Sequence, residues 1–221
     1  MIRFESVTKI YRWKGGERRV LDQQSFTIER GRSIGLLGRN GAGKSTLTRL
    51  IAGVEHPNAG HITRSMSVSW PLGFHGAFQN SLTGADNARF IARIYGCPAI
   101  ELMEAVQEFA DLGPYFRLPV KTYSSGMQAR LAFAISLAVK FDCYLVDEVT
   151  AVGDVRFRER CRQALVERRQ DGTLIMISHD LEVLREYCDS GALLQGGRLT
   201  WFDTIDDAIT AYITTLERNA P

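Results

Sequence analysis

The sequence lacks a long apolar run and a secretion signal. Its longest nearly apolar stretch, Leu131 to Val139, is far shorter than the roughly 20 residues that cross a bilayer. The N-terminal residues Met1 to Glu5 include no apolar core of a signal peptide. We therefore expect a protein with neither a membrane span nor a leader.

Cysteine and net charge are also low. The four cysteines lack CxxC or zinc-type spacing, and those inside apolar patterns are expected to be small core residues in a reducing, cytosolic compartment. A net charge of +2 argues against a surface dedicated to a polyanion, so we expect no nucleic-acid partner. The 221 residues, 45% of them hydrophobic, suffice for one α/β domain with a large core and room for an inserted subdomain.

A phosphate-binding motif occupies residues 38–46. These residues match the pattern G-x-x-x-x-G-K-[ST], in which glycines let backbone N–H groups turn inward around a polyphosphate. Lys44 is expected to reach the β- and γ-phosphates, and the Ser45 hydroxyl to coordinate Mg²⁺. The residues predicted to bind the nucleotide are Gly38, Arg39, Asn40, Gly41, Ala42, Gly43, Lys44, Ser45 and Thr46.

The residues that flank this loop fit a strand and a helix. The apolar run from Ser33 to Leu37 predicts a buried strand, and Thr46 to Ala52 predicts a helix that ends at Gly53. Because strand, glycine loop and helix follow in this order, nucleotide binding is favoured over a coincidental glycine-rich turn.

Three short runs are apolar nearly throughout, as in strands covered on both faces of a parallel sheet. They are Ile34 to Leu37, Cys143 to Val146 and Leu174 to Ile177. Polar residues follow each run, and ligands of open α/β sheets bind at the carboxyl ends of strands. We therefore expect three groups of residues to meet at one site. They are the phosphate-binding loop at residues 38–46 (the P-loop), Asp147 with Glu148, and His179.

The residues after the second and third runs suit phosphate chemistry. Asp147 is expected to hold Mg²⁺, directly or through water, while Glu148 polarises an attacking water. His179 is expected to hydrogen-bond the γ-phosphate. The alternatives are a pair of surface acids that cap a loop and an ordinary loop histidine.

The two ends of the chain predict strands and one helix. Residues 3–8 and 20–28 contain strand patterns with one wetter face. Gly196-Gly197 predicts a tight hairpin, and a last helix is expected from about Ile205 to about Leu216.

The middle of the chain, from Asp86 to Val139, has a helical pattern. Ala88, Ile91, Ala92 and Tyr95 are expected to form one apolar stripe of the first helix in this region. We interpret the region as a helical subdomain inserted between the P-loop and the second core strand.

Five motifs in order resemble those of ABC-type ATPases, and the resemblance covers essentially the whole chain. The segment Tyr123-Ser124-Ser125-Gly126-Met127 resembles the LSGGQ signature and precedes Asp147-Glu148 at the family's usual interval. Asp154 matches the D-loop aspartate, His179 the switch histidine, and Tyr11 the aromatic residue that stacks on adenine.

This resemblance implies a fold and a set of cofactors. The fold class is α/β, a P-loop NTPase of ABC type with a mostly parallel core sheet flanked by helices, an antiparallel β subdomain and an inserted α-helical subdomain. One domain spans residues 1–221, with the core and β subdomain in about 1–85 and 140–221 and the helical subdomain in about 86–139. The implied cofactors are ATP and Mg²⁺.

The signature implies a site shared between two chains. Ser124, Ser125 and Gly126 are expected to open a helix whose free N–H groups attract an anion. In the family, they complete the ATP site of the partner in a head-to-tail homodimer. Ser125 replaces the usual first glycine and Met127 the usual glutamine, and the lost polar contact could slow hydrolysis.

Gln79 is the only candidate for the family's Q-loop glutamine, implied here as a Mg²⁺ ligand. It lies nearer to Leu82-Thr83-Gly84 than the commonest spacing would put it, so a solvated loop glutamine is the alternative. The stretch Trp70, Pro71, Phe74 and Phe78 suits docking of a membrane subunit, with local packing as the alternative.

Several segments are similar to those of ATPases from capsular polysaccharide exporters. These segments are Ser69 to Phe74, the short Gln79 loop, the signature, and Asp147 to Asp154. The similarity implies a polysaccharide as cargo without direct contact to this chain. It also implies two copies of an integral membrane permease docking near Gln79, and a peripheral position on the cytoplasmic face of the inner membrane.

Other functions and partners remain open. An ABC exporter ATPase for another substrate is one alternative, and a soluble ABC ATPase acting on ribosomes or DNA is another, although the latter usually has tandem domains or long extensions. A GTPase switch would need an N-K-x-D motif, which is absent. The arginines between Arg156 and Arg169 suggest lipid headgroups or an anionic glycan, but a solvated helix paired with Glu159 and Glu167 is favoured.

Overall fold

The computed structural model describes residues 1–72, 78–147 and 154–218, except the side chain of Asp171. The chain divides into two units, which are described separately. The first comprises Met1–Ser69, Phe141–Glu148 and Arg168–Pro221, and the second comprises Trp70–Lys140 and Val149–Glu167. The subdomain boundaries drawn from the sequence stay a prediction.

An antiparallel sheet contains the predicted N-terminal strands. Its order is β2-β1-β4, and the alternating burial along β1 and along β2 after Leu21 confirms that one face is wetter. The β1–β2 pairing has register shifts between Phe4 and Val7, Val7 and Lys9, and Lys9 and Ile10. The strands are β1 (Ile2–Trp13), β2 (Gly16–Ile28) and β4 (Ala59–Arg64).

A second sheet has the order β5-β6-β7-β3-β8-β9. The pairs β6–β7, β7–β3 and β3–β8 are parallel, and β9 is antiparallel to β8. The three strands predicted from apolar runs are therefore neighbours, and the mostly parallel core sheet is confirmed. The strands are β3 (Ser33–Leu37), β5 (Val68–Pro71), β6 (Cys143–Asp147), β7 (Thr173–Ile177), β8 (Ser190–Gln195) and β9 (Arg198–Phe202).

The helices of the first unit confirm the predicted ends. Gly53 ends α1 in the left-handed region at φ 78°, where a residue without Cβ is favoured. Thr204 caps α7, and its side chain accepts a hydrogen bond from the Asp207 N–H. The helices are α1 (Lys44–Ala52), α6 (Leu181–Tyr187) and α7 (Ile205–Glu217).

The core of the first unit lies between its sheets and α1. Leu36 of β3, Leu47 and Leu50 of α1, and Leu145 of β6 are all almost fully buried in one apolar cluster. Because both faces of β3 are covered, all five of its residues are buried, as the continuous apolar run predicts. This packing holds the loop after β3 in place.

The second unit contains the predicted helical segment. Its short 3-10 helices at Gly113–Arg117 and Val120–Thr122 lead into the signature. The helix α5 begins in this unit and ends in the first. The helices are α2 (Gly84–Tyr95), α3 (Ala99–Ala110), α4 (Ser125–Ala138) and α5 (Val155–Asp171).

The predicted stripe on α2 is correct except at its end. Ala88, Ile91 and Ala92 are buried, but Tyr95 is 44% exposed. Its ring packs at 5.3 Å from that of Trp70, whose indole N–H donates to Ser136 Oγ at 2.7 Å. Tyr95 therefore covers Trp70 at the unit's surface, and local packing accounts for part of the proposed docking stretch.

The arginines of α5 have several kinds of partner. Arg162 pairs with Glu159 at 3.0 Å, which supports the prediction of an ion-paired helix. Arg160 donates instead to the carbonyl oxygen of Glu108, and its guanidinium lies 5.2 Å from the Phe109 ring. These contacts hold the helix against its own unit.

All four cysteines are free thiols. Cys143, Cys161 and Cys188 are buried, and burial raises the pKa of each thiol to about 12. Among the described residues, no helix is both long and apolar enough to cross a membrane.

Candidate active site

The loop after β3 places α1 with an open N-terminus. Gly43 precedes the helix at φ 112° and has no side chain with which to cap its first turn. A Cβ on Gly43 would collide with Cγ1 of Val20, so only glycine fits there. The first N–H groups of an α-helix have no partner within the helix, and together with the positive end of the helix dipole they suit an anion.

Lys44 is held over the same loop. Its ammonium donates to the carbonyl oxygen of Gly38 at 2.6 Å and to that of Arg39 at 3.3 Å. The positive charge therefore lies beside the helix N-terminus. A phosphate group bound there would contact both the ammonium and the backbone N–H groups.

The carboxyl ends of β6 and β7 bring two further predicted residues to this position. Asp147, the last residue of β6, pairs with Ile177, the last of β7, and His179 follows two residues later. Asp180 then caps α6, and its side chain accepts from the Glu182 N–H at 3.0 Å. Parallel pairing thus aligns the three strand ends, as predicted.

A cavity of about 310 Å³ joins these elements within the first unit. It contains most of the predicted nucleotide-binding residues, together with Asp147 and His179. Gly38, Arg39 and Ala42 do not line it; Arg39 and Ala42 line a neighbouring cavity of about 270 Å³. The larger cavity is lined by Tyr11, Arg18, Val20, Asn40, Gly41, Gly43, Lys44, Ser45, Thr46, Asp147, Ile177 and His179.

Arg18 and Val20 belong to the cavity but were not predicted from the sequence. Arg18 pairs with Tyr11 across the β1–β2 hairpin, and its guanidinium donates to the Gly41 carbonyl oxygen. The pairing itself can be counted back from the turn at residues 14 and 15, because the register shifts of β1 begin only beyond Ile10, but the pairing does not show that the guanidinium reaches the P-loop. No motif signal marks either residue.

Tyr11 lines the cavity through a ring that is anchored at its hydroxyl. The hydroxyl donates to Oε1 of Glu55 at 2.5 Å and lies 3.3 Å from Oγ1 of Thr46 in the P-loop helix. The predicted adenine-stacking residue is therefore beside the P-loop, although its stacking role stays a prediction.

The signature residues lie in the second unit. Ser124 caps α4, and its side chain accepts from the Met127 N–H at 3.2 Å, which confirms that this segment opens a helix. Asp154 caps α5 and accepts from the Phe157 N–H, and this hydrogen bond is the main cause of its lowered carboxyl pKa. Gln79 is also in this unit and is exposed.

Several predicted residues fall outside the described ranges. Glu148 is one of them, and so are Val149 to Gly153 of the segment before the D-loop aspartate and Phe74 of the proposed docking stretch. Their roles remain predictions.

The cavity's donor set fits Mg²⁺. Ser45 and Asp147 offer a hydroxyl and a carboxylate, the hard oxygen ligands that this ion prefers. The described residues contain no cluster of three or more His, Cys, Asp or Glu side chains that could hold a metal by themselves. Such a sparse set suits an ion that takes its remaining ligands from phosphates and water.

The parallel sheet, the glycine loop and the cavity at the strand ends define a P-loop nucleotide-binding protein. Residues 21–151 match the family described as ABC transporter. The chain belongs to this family, and the resemblance to ABC-type ATPases is confirmed.

Relatives match the chain over nearly its whole length. It is 54% identical over 212 residues to the capsule polysaccharide export ATP-binding protein CtrD of Neisseria meningitidis serogroup B, covering 96% of this chain and 98% of that protein. It is 52% identical to the ATP-binding protein BexA of Haemophilus influenzae, covering 97% and 99%. Identity to the polysialic acid transport ATP-binding protein KpsT of Escherichia coli is 45%, covering 96% of each.

Solved structures share the fold. A dimeric ATP-binding cassette bound to ADP and Pi has a TM-score of 0.77 and 21% identity, covering 91% of this chain and 98% of that chain. An ATP-binding subunit of an ABC transporter has a TM-score of 0.78 and 21% identity, covering 96% and 92%. The predicted fold class is therefore confirmed.

Proposed function

We propose that the chain is the ATP-hydrolysing subunit of an ABC exporter that moves a capsular polysaccharide through a separate membrane subunit. The observation that carries this proposal is the 54% identity to CtrD, which holds along almost the full length of both proteins. The P-loop cavity supports the ATP-binding part of the proposal, because it combines a helix N-terminus, a lysine and hard oxygen ligands.

In the proposed reaction, the cavity holds the triphosphate and an attacking water. Lys44 exchanges its carbonyl partners for the β- and γ-phosphates, which are stronger acceptors because they are charged. Ser45 and Asp147 would hold Mg²⁺, with Gln79 as a further predicted ligand, and the ion would neutralise charge on the phosphates. Glu148 accepts a proton from the water, and His179 donates a hydrogen bond to the γ-phosphate.

We propose that the active form is a homodimer with two shared ATP sites. Each site would combine the P-loop of one chain with Ser124, Ser125 and Gly126 of the other, and Asp154 would lie near the same interface. Among the described residues, a Cβ on Gly126 would meet only Ser124 Oγ, at 3.9 Å, so their packing does not require glycine there. Glycine weakens a helix, so its presence at position 126 needs another reason. Close approach of the partner's nucleotide to the backbone would supply that reason, because glycine has no Cβ.

The membrane partner is proposed to be a permease present in two copies, docking near Gln79. The Gln79 backbone is fixed by Asn87, which accepts from its N–H at 3.0 Å and donates to its carbonyl oxygen at 3.2 Å. A fixed backbone with an exposed side chain suits a docking loop. The chain would then be peripheral on the cytoplasmic face of the inner membrane, and the polysaccharide need not touch it.

Deletion of the gene in its own organism tests the exported substrate. We expect surface polysaccharide to be lost and to accumulate inside the cell, with synthesis unchanged. The wild-type gene and a Lys14→Ala variant should restore export, whereas Lys44→Ala should not. Unchanged surface polysaccharide in the deletion strain would contradict the proposal.

A further inference from the structure

Three side chains converge on Glu55, which lies in the loop between α1 and β4. Lys9 Nζ and the Tyr11 hydroxyl approach its Oε1 at 2.8 and 2.5 Å, and Arg49 Nε approaches its Oε2 at 3.0 Å. The Glu55 side chain is only 19% exposed and that of Lys9 only 11%. A carboxylate so enclosed needs this many donors to offset its lost hydration.

The partners keep Glu55 ionised. Burial by itself would raise the pKa of this carboxyl, but hydrogen bonds from Lys9, Tyr11 and Arg49 outweigh it and lower the pKa to about 2. At neutral pH the carboxylate is therefore a fixed negative acceptor for the Tyr11 hydroxyl.

The hairpin around Tyr11 needs such an anchor. The pairing of β1 with β4 ends at Thr8 and Ala59, so Tyr11 lies on a two-stranded ribbon opposite Arg18. A two-stranded ribbon is only marginally stable by itself. The loop at residues 55–58 fastens it: Asn58 Oδ1 accepts from the Ile10 N–H at 2.7 Å, and Glu55 holds Tyr11.

The same anchor reaches the P-loop helix. Arg49 donates to the Tyr11 hydroxyl at 3.2 Å and to Thr46 Oγ1 at 3.3 Å. The Tyr11 side chain is thereby tied to the helix that follows the phosphate-binding loop.

We propose that Glu55 is a positioning residue that fixes the Tyr11 ring as the platform for the nucleotide base. The inference rests on the proposed function, because it takes ATP as the ligand and Tyr11 as the stacking residue. Lys9 Nζ lies 5.2 Å from the ring centroid over one face, so a base stacks on the opposite face. The Tyr11 hydroxyl is already bonded to Glu55 and therefore contributes orientation rather than recognition of the base edge.

Two ligands separate positioning of the base from binding of the phosphates. ATP contains the base, and inorganic tripolyphosphate carries only the phosphate chain. For Glu55→Gln we expect the Kd of ATP to rise about fivefold. This loss of affinity is smaller than the loss expected when the stacking ring itself is removed. The Kd of tripolyphosphate and the kcat of ATP hydrolysis should not change. Calorimetry with the full chain measures both affinities.

A double-mutant cycle tests whether Glu55 acts through Tyr11. In a Tyr11→Ala background, Glu55→Gln should cause no further loss of ATP affinity, because the ring it positions is gone. Glu17→Gln is the matched control, since Glu17 is an exposed acid of the same hairpin that pairs with Arg12 at 3.2 Å. It should leave both affinities unchanged.

Three results would overturn the inference. Equal weakening of ATP and tripolyphosphate by Glu55→Gln would show that Glu55 acts on the P-loop helix through Thr46 and Arg49. Unchanged ATP affinity, or a full additional loss in the Tyr11→Ala background, would show that Glu55 does not position the ring. If the wild type binds neither ligand, the proposed function itself fails.

Discussion

The ammonium of Lys44 lies 2.6 Å from the carbonyl oxygen of Gly38, at the entrance to the helix that would receive a phosphate. Removal of this charge in Lys44→Ala should raise the Kd of ATP at least about tenfold, the effect of losing one charge-assisted hydrogen bond. Calorimetric titration measures it. Lys14→Ala, at the exposed tip of the β1–β2 hairpin, is the control and should bind as the wild type does. Wild-type affinity in Lys44→Ala would place the nucleotide elsewhere.

Glu148→Gln should keep ATP binding and abolish turnover. A neutral amide accepts no proton from the attacking water, so ATP remains bound and the dimer stays closed. In the presence of ATP, a phosphate-release assay should detect no turnover, and size-exclusion chromatography should show a dimer. Glu159→Gln, whose exposed side chain pairs with Arg162, is the control. Normal turnover in Glu148→Gln would refute its role as the base.

Ser124→Arg should disable the ATP site of the partner chain. Purified mixed dimers of Ser124→Arg with Lys44→Ala should hydrolyse ATP, because one composite site keeps both an intact P-loop and an intact signature. Dimers of the double variant with wild type should be inactive, since each site then has one defective half. If the signature served its own chain, the two activities would be reversed.

Arg64 should stabilise the first unit through the end of α1. Its guanidinium donates to the carbonyl oxygens of Leu50 and, at 2.9 Å, Ile51, and burial lowers its pKa. Arg64→Ala leaves these carbonyls without that donor, so the free energy of unfolding should fall by about 1–3 kcal/mol. Urea titration followed by fluorescence measures the change. Arg3→Ala, in an exposed pair with Glu5, should alter it by less than about 0.5 kcal/mol.

Glu55 should make the stability of the folded protein depend on pH in the acidic range. Its pKa falls from 4.5 to about 2 in the folded protein, so its stabilising contribution is complete above pH 4.5 and is lost as the pH falls towards 2. The difference in Tm between wild type and Glu55→Gln should therefore shrink over this interval. Thermal unfolding at pH 7, 4.5 and 2.5 measures it. A constant difference would mean that the carboxylate charge is not the cause.

The arrangement of strand ends could be predicted because it depends on burial alone. The runs before Asp147 and His179 are apolar over only four residues, which suits a short strand covered on both faces. Once the strands are parallel neighbours, their carboxyl ends must meet. For this reason the sequence predicts which residues lie at the edge formed by the carboxyl ends of these strands.

The contacts of Arg18 and Glu55 could not be predicted in this way. The pairing of Arg18 with Tyr11 follows from the turn at residues 14 and 15, but neither this pairing nor a motif indicates that the guanidinium reaches the Gly41 carbonyl oxygen. Glu55 lies after the helix, in a loop without periodicity, and nothing local distinguishes it from a solvated acid. Tyr95 was misassigned for a related reason, because helical spacing alone does not reveal that Trp70 lies beside it at the surface.

The strand order has a consequence for how the protein is made. β3, which carries the P-loop, is bonded to β7 and β8, whose first residues are Thr173 and Ser190. During synthesis the ribosome therefore releases β3 long before either neighbour exists, and its apolar residues remain without sheet partners until most of the chain has emerged. The nucleotide pocket can form only near the end of translation. A nascent chain stalled before residue 173 should therefore be bound by chaperones and should not bind ATP.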